Sequence, residues 1–549
     1  MRRRLSFSVA ALAIGASLLV AAGLASPASS KPTSPTSNKA KAGGTLRLNL
    51  SSSDVDFIDP SLAYFQPAIQ LEYAACRELV NYPPANPPRG GILKPDAAVA
   101  MPRISANGRT YTFTIRTGIR FNDGSKLTAK NFEYVLNRNL DAAMNSPDVP
   151  FIGEINGTTS DGTLPKGVTK ASGIKAVGNK LIIKIKQADP AFISKLGFTF
   201  NCALKVGTPH IAQGINKFAS AGPYYVSSRT PNRTIVLKKN KYYKGILGHN
   251  PSQIVVTVQT DPNASLQAAE KGNINYDIGG LPPTEHARLG RQYGVNKKQY
   301  FVKPQIETDY LALNTASNCF KSAKIRQAVS WGLNRRGMLA QRGAYGGVLT
   351  DQMLPPGIPG FHNWKIYPLS KPNFTKAKKL MGGKKLSCVH YTSTSPTGQL
   401  LAQFAQQNLK QFGITTDIKS FATGVMYRKA GTKGEPFDIL TAGWGIDFND
   451  PVDFVDILAN GDNIHPTNNN NYSYFNNAKY NRRMRAAARL YGAKRYSAYG
   501  KLDKDIMTTD APIGAYDNRS DRYFVSKHTG CVVQMPVYTG ANLGALCIK

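Results

Sequence analysis

Acidic residues are scarce in this 549-residue chain: 33 Asp and Glu stand against 69 Lys and Arg, a formal charge of +36. Such an imbalance describes surroundings and solubility, not fold. Nucleic acid is the first partner to consider. The basic residues, however, are spread along the chain without a recognisable nucleic-acid module, so none is expected. A generally solvated basic surface is the plainest account, and an anionic cell envelope suits the exported chain described below. Catalytic signatures are missing as well. There is no GxSxG elbow, no HExxH pair and no Walker GxxxxGK[ST] loop, and the seven histidines are scattered. Nucleophilic, zincin and P-loop chemistry lack their residues, so neither an enzyme, a cofactor nor a metal site is expected. Asp447, Asn449, Asp450, Asp453 and Asp456 imitate a calcium loop, but Pro451 takes the fifth place and no Gly or closing Glu follows in register.

Cysteine is limited to positions 76, 202, 319, 388, 531 and 547, with no CxxC pair. That spacing argues against zinc and thioredoxin-like chemistry. In an exported chain it suggests disulfides, with fifteen complete pairings open. Long apolar runs are limited to one, over about residues 9–24, preceded by Arg2, Arg3 and Arg4 and followed by small residues. It reads as a secretory signal cut after Ala28, leaving a mature charge of +33. An uncleaved anchor is the alternative. No cysteine stands near the cut, so the lipoprotein form of anchoring is not written there. Residues 29–42, small, polar and Pro-interrupted, read as a flexible tether.

What is present is a long globular sequence with too many residues for a single core, so two or more lobes are expected. Residues 43–50 alternate apolar and polar as a strand. Residues 437–442 are short, largely apolar and closed by Gly443, as a buried strand is. Residues 450–458 read as a helix, with Asp450 as cap, Pro451 at the first helical position, and Val452, Val455 and Leu458 at helical spacing. Between them lies Trp444-Gly445-Ile446-Asp447-Phe448-Asn449, a loop at the carboxyl end of a strand, where open α/β sheets place ligands. Taken alone, Trp444 reads as core and Asp447 as a solvated turn acid.

The most diagnostic block is Pro95-Asp96-Ala97-Ala98, then Ser105-Ala106-Asn107-Gly108-Arg109-Thr110. Tyr111-Thr112-Phe113-Thr114-Ile115-Arg116, Gly118 to Gly124 and Leu127-Thr128-Ala129 follow. It resembles the signature of family 5 extracellular solute-binding proteins, the oligopeptide- and dipeptide-binding receptors of bacterial ABC importers. Asn107 and Lys126 depart from the family's usual Asp and Pro. Ala221-Gly222-Pro223-Tyr224-Tyr225, Gly272 to Asp277, Ile325 to Arg335, Trp444 to Pro451, Asn471-Tyr472-Ser473 and Pro512 to Tyr516 extend the likeness, in order, over nearly all of the mature chain.

The resemblance implies an α/β, two-lobed periplasmic-binding-protein-like fold of type II with an inserted subdomain. Lobe I would comprise 43–82, 174–298 and 512–549, the subdomain 83–173, and lobe II 299–511. Residues 310–314 and 512–516 would cross between lobes. It implies a monomeric extracytoplasmic receptor that passes a peptide to an ABC permease. Asp447 would stand at the position that pairs with the peptide's α-ammonium in peptide-binding members, with Trp444, Tyr64 and Phe65 as apolar or stacking walls. An oligosaccharide, nickel or haem is the alternative ligand within the family; a secreted basic enzyme or an adhesion protein is the alternative from another class. Cys531 and Cys547 pair through their closeness in sequence. The implied lobes place Cys76 with Cys202 in lobe I and leave Cys319 with Cys388 in lobe II.

Overall fold

Leu46, Leu48 and Leu50 turn inward from Thr45–Leu50, the strand that opens the computed structural model's ordered fold. The structure describes residues 43–51, 54–87 and 89–549; the signal and tether expected over 1–42 lie outside the described residues. Thr45–Leu50 pairs in parallel with Gln253–Val258 on one side and Tyr276–Asp277 on the other. Thr234–Lys239 and Tyr224–Thr230 extend this first sheet antiparallel.

A second, seven-stranded sheet is built around Glu307–Leu313, every residue of which is buried. It pairs antiparallel with Ile439–Gly445 and with Ile513–Phe524. Leu386–Ser393 then lies parallel to Ile439–Gly445, and Ile414–Phe421 parallel to Leu386–Ser393. Parallel neighbours need a crossover, and the helix Pro396–Lys410 supplies one. Leu311, Leu313 and Ile439 face the core beneath that helix, Ala323–Gly332 and Phe374–Met381; Tyr310, Ala312, Leu440, Ala442 and Trp444 face the opposite core.

A third sheet, all antiparallel, joins Arg103–Ile104, Thr110–Thr114, Lys180–Lys184 and Ile174–Val177. Its first hairpin turns at Gly108, whose φ of +69° suits a residue without Cβ. Helix Ala129–Leu140 packs on it and starts with a capping-box contact, the Asn131 side chain accepting the Thr128 N–H at 2.8 Å.

Ile174–Val177 and Lys180–Lys184 pair with Thr110–Thr114, so the third sheet takes in strands on both sides of residue 173. Ile513–Phe524 is an interior strand of the second sheet, where Tyr310 lies opposite Ala515. The sheets meet further along, where Tyr300–Pro304 pairs with residues 520–524 and Val525 bridges to Tyr276 of the first sheet.

Three disulfides join Cys76 to Cys202, Cys319 to Cys388 and Cys531 to Cys547. Cys319, Cys388 and Asp438 lie within metal-ligand reach of one another, but both sulfurs are committed to the disulfide. Among the described residues no helix is long and apolar enough to cross a membrane.

Candidate functional site

Strand Ile439–Gly445 carries Trp444 to the edge of the second sheet, and residues 446–451 turn from it into helix Val452–Ala459. The helix starts one residue later than the sequence suggests. Pro451 occupies the capping position, while an Asp450 oxygen accepts the Val452 N–H at 3.0 Å. Asp450 is also gripped by the buried Arg495 guanidinium, at 2.9 Å. The loop itself is fastened by Asp453, whose Oδ2 accepts the N–H of Asp447 at 2.8 Å and that of Phe448 at 3.4 Å. A first-turn acid thus fixes the backbone of the residue whose side chain matters.

That side chain is not a solvated turn acid. Asp447 is 7% exposed, and its Oδ2 accepts a hydrogen bond from the Tyr64 hydroxyl at 2.9 Å, 383 residues away in sequence. Burial pushes its carboxyl up to about 7, with the Tyr64 hydroxyl opposing the rise. Asp453 beside it is also raised well above the usual carboxylate range, by burial first and then by the nearness of Asp447.

Tyr64 is itself held at both ends. Asp56 Oδ2 accepts the N–H groups of Tyr64 and Phe65, at 2.8 and 2.9 Å, so the segment enters helix Gln66–Ala75 already oriented. Burial lifts the Asp56 carboxyl to about 6. The Tyr64 ring meets Trp444 edge-on at 6.4 Å, Phe198 at 6.0 Å and Phe200 at 5.3 Å between centroids. Phe65 stacks on Tyr427 at 5.9 Å, and Tyr427 leans on Tyr472 at 5.4 Å.

In front of Asp447 lies a cavity of about 380 Å³, within the range of small-molecule sites. Tyr64, Phe65, Gln70 and Tyr538 line it from one side; Trp444, Tyr427, Asn468 and Tyr472 line it from the side of the second sheet. The structure therefore brings together Asp447, Trp444, Tyr64 and Phe65, all four of the residues singled out in the sequence.

It adds others that sequence reasoning missed. Phe198, Tyr427 and Tyr538 were not singled out, because a lone aromatic reads as core wherever it stands, and Tyr472 entered only as part of the motif at 471–473. Asn468, Asn469 and Asn470 carried a local signal: a run of asparagines before Tyr472 is not a core pattern. Glu307 and Arg519 also line the cavity and are paired at 3.0 Å. Arg519 reaches Asp309 at 2.6 Å, Asp309 reaches Arg342 at 2.7 Å, and Arg342 reaches Asp517 at 3.0 Å. Burial raises Glu307 to about 7 against the pull of Arg519. Chemically, the cavity offers an aromatic box, one carboxylate bound only by a hydroxyl, and carbonyl and amide groups for a main chain. Among the described residues that line it there is no Ser-His or Cys-His pair.

A family model described as bacterial extracellular solute-binding proteins, family 5 (middle), matches residues 93–466. The probable D,D-dipeptide-binding periplasmic protein DdpA of Escherichia coli is 23% identical over 448 residues, covering 79% of this chain and 81% of that protein. The periplasmic murein peptide-binding protein MppA of the same organism is 25% identical over 492 residues, covering 83% and 84%. Among solved structures, the DppA periplasmic binding protein of Helicobacter pylori in complex with the peptide STSA superposes with a TM-score of 0.79. It is 19% identical, and the match covers 92% of this chain and 98% of that one.

Proposed function

The chain belongs to family 5 of the bacterial extracellular solute-binding proteins, and from that premise we propose that it is an exported, monomeric receptor that captures a peptide between its lobes. The captured peptide passes to an ABC permease, and no chemistry is done on it. The observation that supports peptide over other ligands is Asp447: a buried carboxylate at the cavity wall whose side-chain partner is a neutral hydroxyl. An α-ammonium would supply the counter-charge that a buried carboxylate lacks. The asparagines that line the cavity suit a peptide main chain, and the aromatic walls suit side chains of varied shape.

On this reading lobe I is built on the first sheet, lobe II on the second, and the third sheet is the inserted subdomain. The hinge is the ribbon formed by Tyr300–Pro304 and residues 520–526. The test is native mass spectrometry of protein purified from its own host, followed by calorimetry with the free and N-acetylated forms of any peptide found. Binding of the free form and a loss of about a thousandfold on acetylation is the expected result. Equal binding of the two forms, or retention of a sugar alone, would remove Asp447 from the anchoring role.

A further inference from the structure

Between residues 310 and 416 the sequence holds a single acid, Asp351, and it is 1% exposed. The same stretch carries ten exposed lysines and one exposed arginine, Arg336. Most of these sit on one layer. Helices Ala323–Gly332, Arg335–Ala340, Phe374–Met381 and Pro396–Lys410 share the core that contains Leu311, Leu313 and Ile439. Lys324, Lys378, Lys379 and Lys410 project from that layer, with Lys384 and Lys385 on the turn that follows Met381. Among the described residues none of them takes part in an ion pair. The nearest exposed acid in sequence is Asp417, on the edge strand Ile414–Phe421, and Lys419 follows it.

Two features decide what this face fits. It covers the side of the second sheet opposite to the one that presents Trp444, and none of its lysines lines the cavity, so it neither steers nor holds the solute. It is also built almost wholly from lysine. Protein interfaces are depleted in lysine and favour arginine and aromatics, and arginine is the usual choice for shaped, bidentate recognition. Hydrated point charges spread over a helical layer suit a diffuse anionic plane.

We propose that this layer docks the protein on the anionic phospholipid headgroups of the membrane, leaving the cavity side free. The full chain is tested by co-sedimentation with vesicles of phosphatidylglycerol and phosphatidylcholine in equal parts, and with pure phosphatidylcholine vesicles. Binding is expected only to the anionic vesicles, and it should weaken as salt rises. Lys378→Gln, Lys379→Gln, Lys384→Gln and Lys385→Gln together should weaken it at least about fiftyfold, since each lysine near such a surface contributes roughly a factor of five. The same number of substitutions on the third sheet and its approach, Lys166→Gln, Lys175→Gln, Lys180→Gln and Lys184→Gln, removes equal charge and should change binding less than about threefold. Peptide affinity and melting temperature, read on both variants, confirm that cavity and fold are intact. Equal losses in the two variants would show that net charge and not this face is responsible. No binding to anionic vesicles, or binding only to wall polymer or DNA, would overturn the assignment.

Discussion

Replacing Asp447 with Asn separates two roles that the proposed function gives to one carboxylate. Asn keeps the shape and can still accept the Tyr64 hydroxyl now found at 2.9 Å. It removes the charge. Burying an ammonium without its counter-charge costs about 4 kcal/mol, so peptide affinity at pH 8 should fall by ~3 decades in calorimetry.

The empty protein should respond the other way. The folded Asp447 carboxyl titrates near 7 against an ordinary 3.8, so the folded state holds a proton that the unfolded chain has released. The stability associated with neutral Asp447 is complete below pH ~4 and is lost as pH rises through about 7. About three pH units at ~1.36 kcal/mol each set an upper bound near 4 kcal/mol, which water entering the cavity reduces. Asn never ionises. In urea denaturation the variant should therefore gain on the wild type by about 1–2 kcal/mol at pH 8, and the advantage should shrink toward zero near pH 4. The same carboxyl sets the pH dependence of binding: because the ammonium needs the ionised form, wild-type affinity should fall by up to about tenfold per unit as pH drops below 7. An Asn variant less stable than wild type at pH 8, or one whose advantage is the same at both pH values, would refute the reasoning, as would undiminished peptide binding.

Other perturbations read neighbouring parts of the structure. Tyr64→Phe leaves the aromatic contacts but removes the donor that opposes the rise in Asp447. The midpoint of the binding pH profile should move upward, with little change in affinity at pH 9. Arg138 and Asp59 are both fully buried and paired, so Asp59→Ala should destabilise by about 3–5 kcal/mol in urea denaturation; a loss under ~1 kcal/mol would show that the guanidinium finds other partners. Cys531 and Cys547 are 16 residues apart. Replacing both with Ser should cost about 3 kcal/mol by the chain-entropy account, and peptide mapping of the unreduced protein should recover this pair. If the ribbon of Tyr300–Pro304 and residues 520–526 is the hinge, a saturating ligand should shift the protein toward the closed form. The radius of gyration measured by small-angle scattering should then fall or stay at the closed value, and an increase would contradict it.

How far the sequence could be read depended on whether a feature is local. The strand at 45–50 and the Asn-Gly turn at 107–108 declare themselves through alternation and turn chemistry and form where the residues indicate, whereas the strand expected at 437–442 runs over Ile439–Gly445, past the Gly443 that was read as its end. Sheet membership is not local. Ile513–Phe524 has the composition of either lobe, and only its register against Glu307–Leu313 places it in the second sheet. Sheet membership therefore had to be found from strand pairing, and the ribbon proposed as the hinge lies outside the two segments that motif order offered as crossings. The same distinction governs the site. Asp447 and Trp444 were visible through the motif at 444–451, since taken alone they read as a turn acid and a core indole. Tyr64 was visible as an aromatic, but its bond to Asp447 spans 383 residues, and no periodicity reports a contact of that separation. Asp453 is the sharper case. As a first-turn acid it is fully explained by the helix dipole, yet its carboxylate holds the two N–H groups that aim Asp447. A residue with a sufficient local reason gives no sign of a second, tertiary one, so the residues that position the site are the ones the sequence conceals best.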